Sequence, residues 1–201
     1  MKKILIVAIV CSFPFFAQAQ EFHAGVKGGL NLSNLYIDEV TDENARIGFH
    51  AGVFGQWELS EVFGIQPEVL YSSKGAKAEY DIAIFEGENK FNLNYIDVPV
   101  LAVFKIGENF EIHAGPYFSY MLGANVSTDG ELGEGVDELD KDNLSETDFG
   151  LAGGVAFGSE QTKVGLRYNY GLVEVADSDA ARTLLGDAKN SALQLYVSFG
   201  F

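Results

Sequence analysis

The chain has 201 residues, with 13 Lys and Arg against 29 Asp and Glu and a formal net charge of −16. That excess excludes a nucleic-acid partner, whose affinity would come from basic groups neutralising phosphate. A single Cys excludes an internal disulfide framework, and no CxxC or Cys/His cluster is present to hold zinc. Aromatics at 13%, 23 Gly and only 4 Pro favour strands over helices.

The first nineteen residues read as an address. Met1-Lys2-Lys3 is a basic n-region, Ile4 to Val10 an apolar h-region extended loosely through Phe16, and Ala17-Gln18-Ala19 an A-x-A cleavage site. The apolar stretch is short of the ~20 residues a spanning helix needs. Lipoprotein processing at Cys11 is rejected, because Val10 stands before it where a small residue is required. The expected organisation is a signal peptide at 1–19 and one barrel domain at 20–201. Cleavage removes Lys2, Lys3 and Cys11 and leaves a cysteine-free chain of net charge −18 that is indifferent to the redox state of the envelope.

The rest of the chain has no long apolar run, but it alternates. Eight strands follow in order. The first sets Phe22, Ala24, Val26, Gly28, Leu30 and Leu32 against His23, Gly25, Lys27, Gly29 and Asn31. The second, about 46–59, sets Ile47, Phe49, Val53, Trp57 and Leu59 against Gly48, His50, Gly52, Gln56 and Glu58. The third, about 63–74, sets Phe63, Ile65, Val69 and Tyr71 against Gln66, Glu68, Leu70 and Ser72. The fourth, about 91–106, is apolar on both faces; Ile96, Val98, Val100, Ala102 and Phe104 are placed outward, because the other phase would put Asp97 in lipid.

The fifth, about 109–122, sets Phe110, Ile112, Phe118 and Tyr120 against Glu111, His113, Tyr117 and Ser119. The sixth, about 148–158, sets Phe149, Leu151, Val155 and Phe157 against Asp148, Gly150, Ala152 and Gly154. The seventh, about 163–172, sets Val164, Leu166, Tyr168 and Tyr170 against Lys163, Gly165, Arg167 and Asn169. The eighth sets Leu193, Leu195, Val197, Phe199 and Phe201 against Ala192, Gln194, Tyr196 and Ser198.

Period two over roughly ten residues, repeated, is the signature of an all-β, eight-stranded antiparallel up-and-down transmembrane β-barrel. Eleven residues at about 3.3 Å each, tilted about 40°, rise roughly 28 Å, enough to cross the apolar band of an outer membrane. Closure leaves no sheet edge, which lipid requires because it cannot satisfy free backbone groups. The connections alternate. Those at 60–62, near 107–108 and at 159–161 are short; those at about 33–45, 75–90, 123–147 and 173–190 are long. In barrels of this kind the short turns face the periplasm and the long loops face outside. Asp129 to Glu146 holds eight acidic residues and one Lys, read as solvated loop with weak divalent-cation binding as the alternative. Asp140-Lys141-Asp142-Asn143 is similar to the start of a calcium loop, but Ser145 stands where an EF-hand needs Gly.

The two faces differ in bulk. Small residues with scattered charges suit the narrow lumen of an eight-stranded barrel, so the polar face is placed inside. Lys27, Glu68, Asp97, Glu111 and Arg167 all fall there. Counting from the turns sets Lys27, Glu68 and Arg167 at similar heights, with Glu111 lower and Asp97 capping the group from above. The expectation is a paired polar network that blocks water flow. His23, His50 and His113 also face inward, without a nucleophile and acid at catalytic spacing, and no cofactor or metal motif is present.

Several phrases carry a resemblance. They are Gly25-Val26-Lys27-Gly28-Gly29-Leu30-Asn31-Leu32-Ser33, Gln66-Pro67-Glu68-Val69-Leu70-Tyr71-Ser72-Ser73-Lys74-Gly75, Asn94-Tyr95-Ile96-Asp97-Val98-Pro99-Val100-Leu101 and Gly115-Pro116-Tyr117. Together they resemble the PorT-like, porin-family outer-membrane β-barrel proteins of Bacteroidota across 22–201, and at fold level the chain is similar to the OmpA and OmpX barrels. Unlike OmpA, no peptidoglycan-binding domain is expected after the eighth strand. The closing residues, with Phe199 and Phe201 outward, resemble the assembly signal of bacterial outer-membrane barrels. The resemblance implies fold and location, with outer-membrane lipid and the barrel-assembly machinery as partners, and no catalytic residues. It names no protein partner and does not establish a pore. Three classes stay open: a structural or interaction barrel, a narrow channel for small solutes, and an outer-membrane enzyme.

Overall fold

The computed structural model describes residues 21–36, 45–82, 85–130, 135–138, 144–176 and 188–201. The cleavage site and the Asp140–Asn143 stretch lie outside them. The described residues form strands β1 (Phe22–Tyr36), β2 (Arg46–Ser60), β3 (Phe63–Ile82), β4 (Phe85–Ile106), β5 (Phe110–Gly130), β6 (Gly135–Glu138), β7 (Thr147–Gly158), β8 (Thr162–Glu174) and β9 (Lys189–Gly200), with no helix among them. Every pairing is antiparallel. β1 bonds to both β2 and β9, and β4 bonds to β5, so all strands but β6 close into an eight-stranded barrel. Phe201 donates its backbone N–H to the Ala24 carbonyl, tying the chain end to the first strand.

The side-chain alternation decides which surface is which. Leu166 and Leu195 are about half exposed, whereas Arg167 beside them is 1% exposed and Gln194 is fully enclosed. The same holds around the ring, where Phe49, Val100, Phe118, Phe149 and Phe157 stand on the outer surface. A soluble protein does not carry an apolar surface of that extent; hydrocarbon is its natural solvent. The fourth strand takes the phase that keeps Asp97 inside. Val100 and Phe104 point outward, while Leu101 and Val103 are enclosed. Beyond Asp97 toward the turn end its inner face is apolar at Leu101 and Val103 because it packs within the lumen, where Leu101 meets Tyr117 and Ala152.

Two stretches read from sequence as loops are largely strand. β3 and β4 continue past the alternating segment in an unbroken register up to Ile82↔Phe85, so only residues 83–84 separate them where a loop over 75–90 was expected. β5 likewise runs on to Gly130, and β6 pairs with Asn125–Thr128. The reason is physical. Outward apolar alternation reports lipid contact and stops where the lipid stops, but a backbone ladder between two antiparallel partners continues into water without it. The short turns remain at 61–62, 107–109 and 159–161, with Gly107 in the left-handed region at φ +68°. That end is called here the turn end, and the opposite one the loop end.

Candidate functional site

The enclosed chemistry lies in the lumen, arranged in layers. Lys27 is the sixth residue of β1, Glu68 the sixth of β3 and Arg167 the sixth of β8, so all three stand at one height above the turn end. Their side chains meet on the axis. Lys27 Nζ donates to Glu68 Oε1 at 2.5 Å, and Arg167 donates two parallel bonds to the same carboxylate, Nη1 to Oε2 and Nη2 to Oε1, each 2.8 Å. Gln66 adds a fourth donor at 2.6 Å. One carboxylate thus serves two cations, and the three side chains are at most 2% exposed. The bidentate fork is the geometry guanidinium favours with carboxylate.

Aromatic and small residues frame this triad. Lys27 Nζ lies 4.2 Å and Arg167 Cζ 5.3 Å from the Tyr196 ring centroid, so one ring is in cation–π range of both cations. Tyr196 lies over Gly165, where a Cβ would come within 2.2 Å of the ring. Arg167 also donates Nε–H to His113 Nε2 at 3.2 Å, and a Cβ at Gly154 would sit 2.8 Å from that nitrogen. Glycine at both positions is needed for close approach.

Asp97 and Glu111 do not join the triad, contrary to the single network expected from the sequence. Glu111 accepts from Lys163 at 2.6 Å near the turn end. Asp97 accepts from Lys74 at 2.9 Å and from Ser119 at 2.6 Å. Each carboxylate has a nearer cation reaching inward from another strand, and a pair at contact distance outweighs one across the lumen. Lys74 is the residue that sequence reading missed. It continues the inward parity of Gln66, Glu68 and Ser72, but it stands where the third strand was expected to end.

Between these layers Asn31 acts as a polar hub. Its Nδ2 donates to Ser72 Oγ and the Ser73 carbonyl, its Oδ1 accepts from Gln194 at 3.0 Å, and His50 Nδ1 stands 2.7 Å from the same oxygen. Toward the loop end, the Lys74 ammonium lies between the rings of Tyr95 and Tyr117, 5.1 and 5.0 Å from their centroids. Tyr117 and Asn190 both donate to Asp148 Oδ2 at 3.1 Å. Above this, Leu93, Tyr95, Met121, Ala124, Leu144 and Val175 form a buried apolar cluster. Leu144 and Val175 come from outside the strands, drawn in where Ser145 N–H donates to the Val175 carbonyl and Leu144 bridges Ala176.

Two of the three histidines have hydrogen-bond partners. His113 accepts from Arg167, His50 faces Asn31, and His23 lies at the turn end beside Glu21 and Glu58. Among the described residues none joins a nucleophile–base–acid chain. A recess at the turn end, lined by His23, Lys27, Glu58, Glu111 and Tyr196, has a volume of about 20 Å³, room for about one water.

The closed ring, apolar outside and charged within, is the architecture of a membrane-spanning barrel. The family model described as outer membrane protein beta-barrel domain matches residues 16–177. The chain belongs to this outer-membrane β-barrel family. Among solved structures, its fold is similar to Ail, the attachment invasion locus protein of Yersinia pestis, crystallised with the heparin analogue sucrose octasulfate. That match has 16% identity and a TM-score of 0.49, covering 90% of this chain and 99% of the other. Neisserial surface protein A aligns at 13% identity and a TM-score of 0.46, covering 92% and 100% of the two chains. OprG of Pseudomonas aeruginosa aligns at 12% identity and a TM-score of 0.42, covering 92% and 98%. No curated protein matches the sequence. As a member of this outer-membrane family, the barrel places its half-exposed Leu, Phe and Val surface in lipid and its ion pairs in the lumen.

Proposed function

We propose that the protein is an integral outer-membrane barrel plugged by its own side chains, serving a structural or interaction role in the envelope rather than catalysing a reaction. The observation that carries this reading is the Lys27–Glu68–Arg167 triad, which spans the axis from three strands and is sealed from solvent. Three strongly bonded side chains at one height leave no continuous water path, and the Asn31 hub and apolar cluster add two further layers.

In this reading the two chain ends and the short turns face the periplasm, and the longer, acidic connections face outward. Phe199 and Phe201, 51% and 83% exposed on the outer surface, form the aromatic signal read by the barrel-assembly machinery. The acidic run from Asp129 to Glu146 is taken as solvated connection, with weak divalent-cation binding as the alternative. The four sequence phrases support placement with the PorT-like barrels of Bacteroidota.

Conductance in planar bilayers tests the reading. The folded protein is expected to show little current. Large, steady wild-type conductance would overturn the plug and promote the channel for small solutes; turnover of lipid or peptide substrates would overturn the non-enzymatic role.

A further inference from the structure

We propose that the turn-end mouth of the barrel holds a transition-metal site formed by Glu21, His23 and Glu58, and that Lys105 competes with this metal for the Glu58 carboxylate.

The strand geometry builds the site. Glu21 immediately precedes β1 and His23 is its second residue, so in extended chain their side chains leave on the same side. Glu58 reaches that face from the neighbouring strand, with its backbone N–H donated to the Glu21 carbonyl at 2.9 Å. The donor atoms of all three residues lie within 4.8 Å of one another. His23 Nε2 stands 3.4 Å from Glu58 Oε1 and 3.8 Å from Glu21 Oε2. Ligands about 2.0–2.2 Å from a tetrahedral zinc are separated by roughly 3.3–3.6 Å, so the His23–Glu58 spacing suits such an ion, and the exposed Glu21 side chain has only to swing inward to complete the set.

A second observation points the same way. His23 Nε2 is enclosed and makes no hydrogen bond, although two carboxylates flank it. An imidazole nitrogen aimed between two carboxylates, without a hydrogen bond to either, is a donor set that a borderline ion such as zinc takes up, with water completing the tetrahedron. The imidazole donor favours zinc over calcium, which takes six to eight oxygen ligands.

Lys105 supplies the competition. Its ammonium bonds Glu58 Oε1, the same oxygen that faces His23, and lies 3.9 Å from Glu160 Oε1. A metal that claims the Glu58 oxygen releases Lys105 toward Glu160. The site therefore answers both to metal concentration and to the position of the β7–β8 turn, which carries Glu160, relative to Lys105 near the end of β4.

The test is a zinc titration of the full chain folded in detergent micelles and stripped with chelator. Folding is checked by the heat-modifiable mobility of the barrel. One saturable site is expected, with a change in the His23 ring ¹⁵N resonances of the wild-type protein on adding zinc. His23→Ala should abolish that site. Lys105→Met should tighten it by roughly tenfold, the low end of the worth of one charged hydrogen bond that no longer competes for Glu58. Absence of saturable binding, or unmoved His23 resonances, would leave the cluster an ion-pair network only and overturn the proposal. Saturable binding that survives His23→Ala would assign the ion to the acidic connections instead, and an unchanged affinity in Lys105→Met would overturn the competition for Glu58.

Discussion

Replacing Glu68 by Ala removes the carboxylate that Lys27 and Arg167 share. The side chain accepts three charge-assisted bonds, one from Lys27 and two from Arg167, plus a bond from Gln66. Without it two cations remain in a site at most 2% exposed, both against the same Tyr196 ring. Breaking one buried ion pair by deleting a partner costs about 3–5 kcal/mol, and here one deletion strands two cations. Destabilisation at the upper end of that range is expected unless water enters. Entering water and counter-ions would lower the cost and at the same time open a conduction path.

Urea unfolding in detergent and bilayer conductance therefore trade off. A variant that stays stable should conduct, and one that stays closed should be destabilised. Glu68→Gln separates charge from volume: it keeps the bulk and loses the counter-ion, so it should resemble the Ala variant if electrostatics closes the lumen. Both variants with wild-type stability and unchanged conductance would refute the argument.

Three other outcomes follow from neighbouring contacts. Leu166→Arg puts a cation on the lipid face and should cut the folded yield by the equivalent of about 2–4 kcal/mol, whereas Asn169→Arg, directed inward, should fold better in the same refolding assay. Lys74→Met leaves Asp97 buried without its cation, at a cost of about 3–5 kcal/mol; adding Asp97→Asn should recover much of it, a coupling read from a double-mutant unfolding cycle. Gly165→Ala drives a methyl into the Tyr196 ring and should lower unfolding stability by about 1–3 kcal/mol, while the same change at Gly153, which has open space outside, should be nearly silent.

The sequence alone determined the architecture, because hydrocarbon imposes a simple test at every outward position. A strand crossing lipid must alternate, and seven alternating segments of this chain, with the fourth strand phased by the need to keep Asp97 out of lipid, give strand identity and facing without knowledge of any partner. The heights of Lys27, Glu68 and Arg167 were legible for the same reason, since each is counted from a turn along a rigid 3.3 Å rise. What lay beyond the lipid was not legible. The ladders reaching Ile82, Phe85 and Gly130 are held by backbone bonds between strands and leave no apolar period to read. Only the tertiary structure decided who pairs with whom inside. Lys74 claims Asp97, Lys163 claims Glu111, and Glu21, His23 and Glu58 converge at the mouth. Those choices depend on the azimuth set by strand stagger and on how far flexible side chains reach across a narrow lumen, and contact distance, rather than position along the chain, decides which ion pair wins.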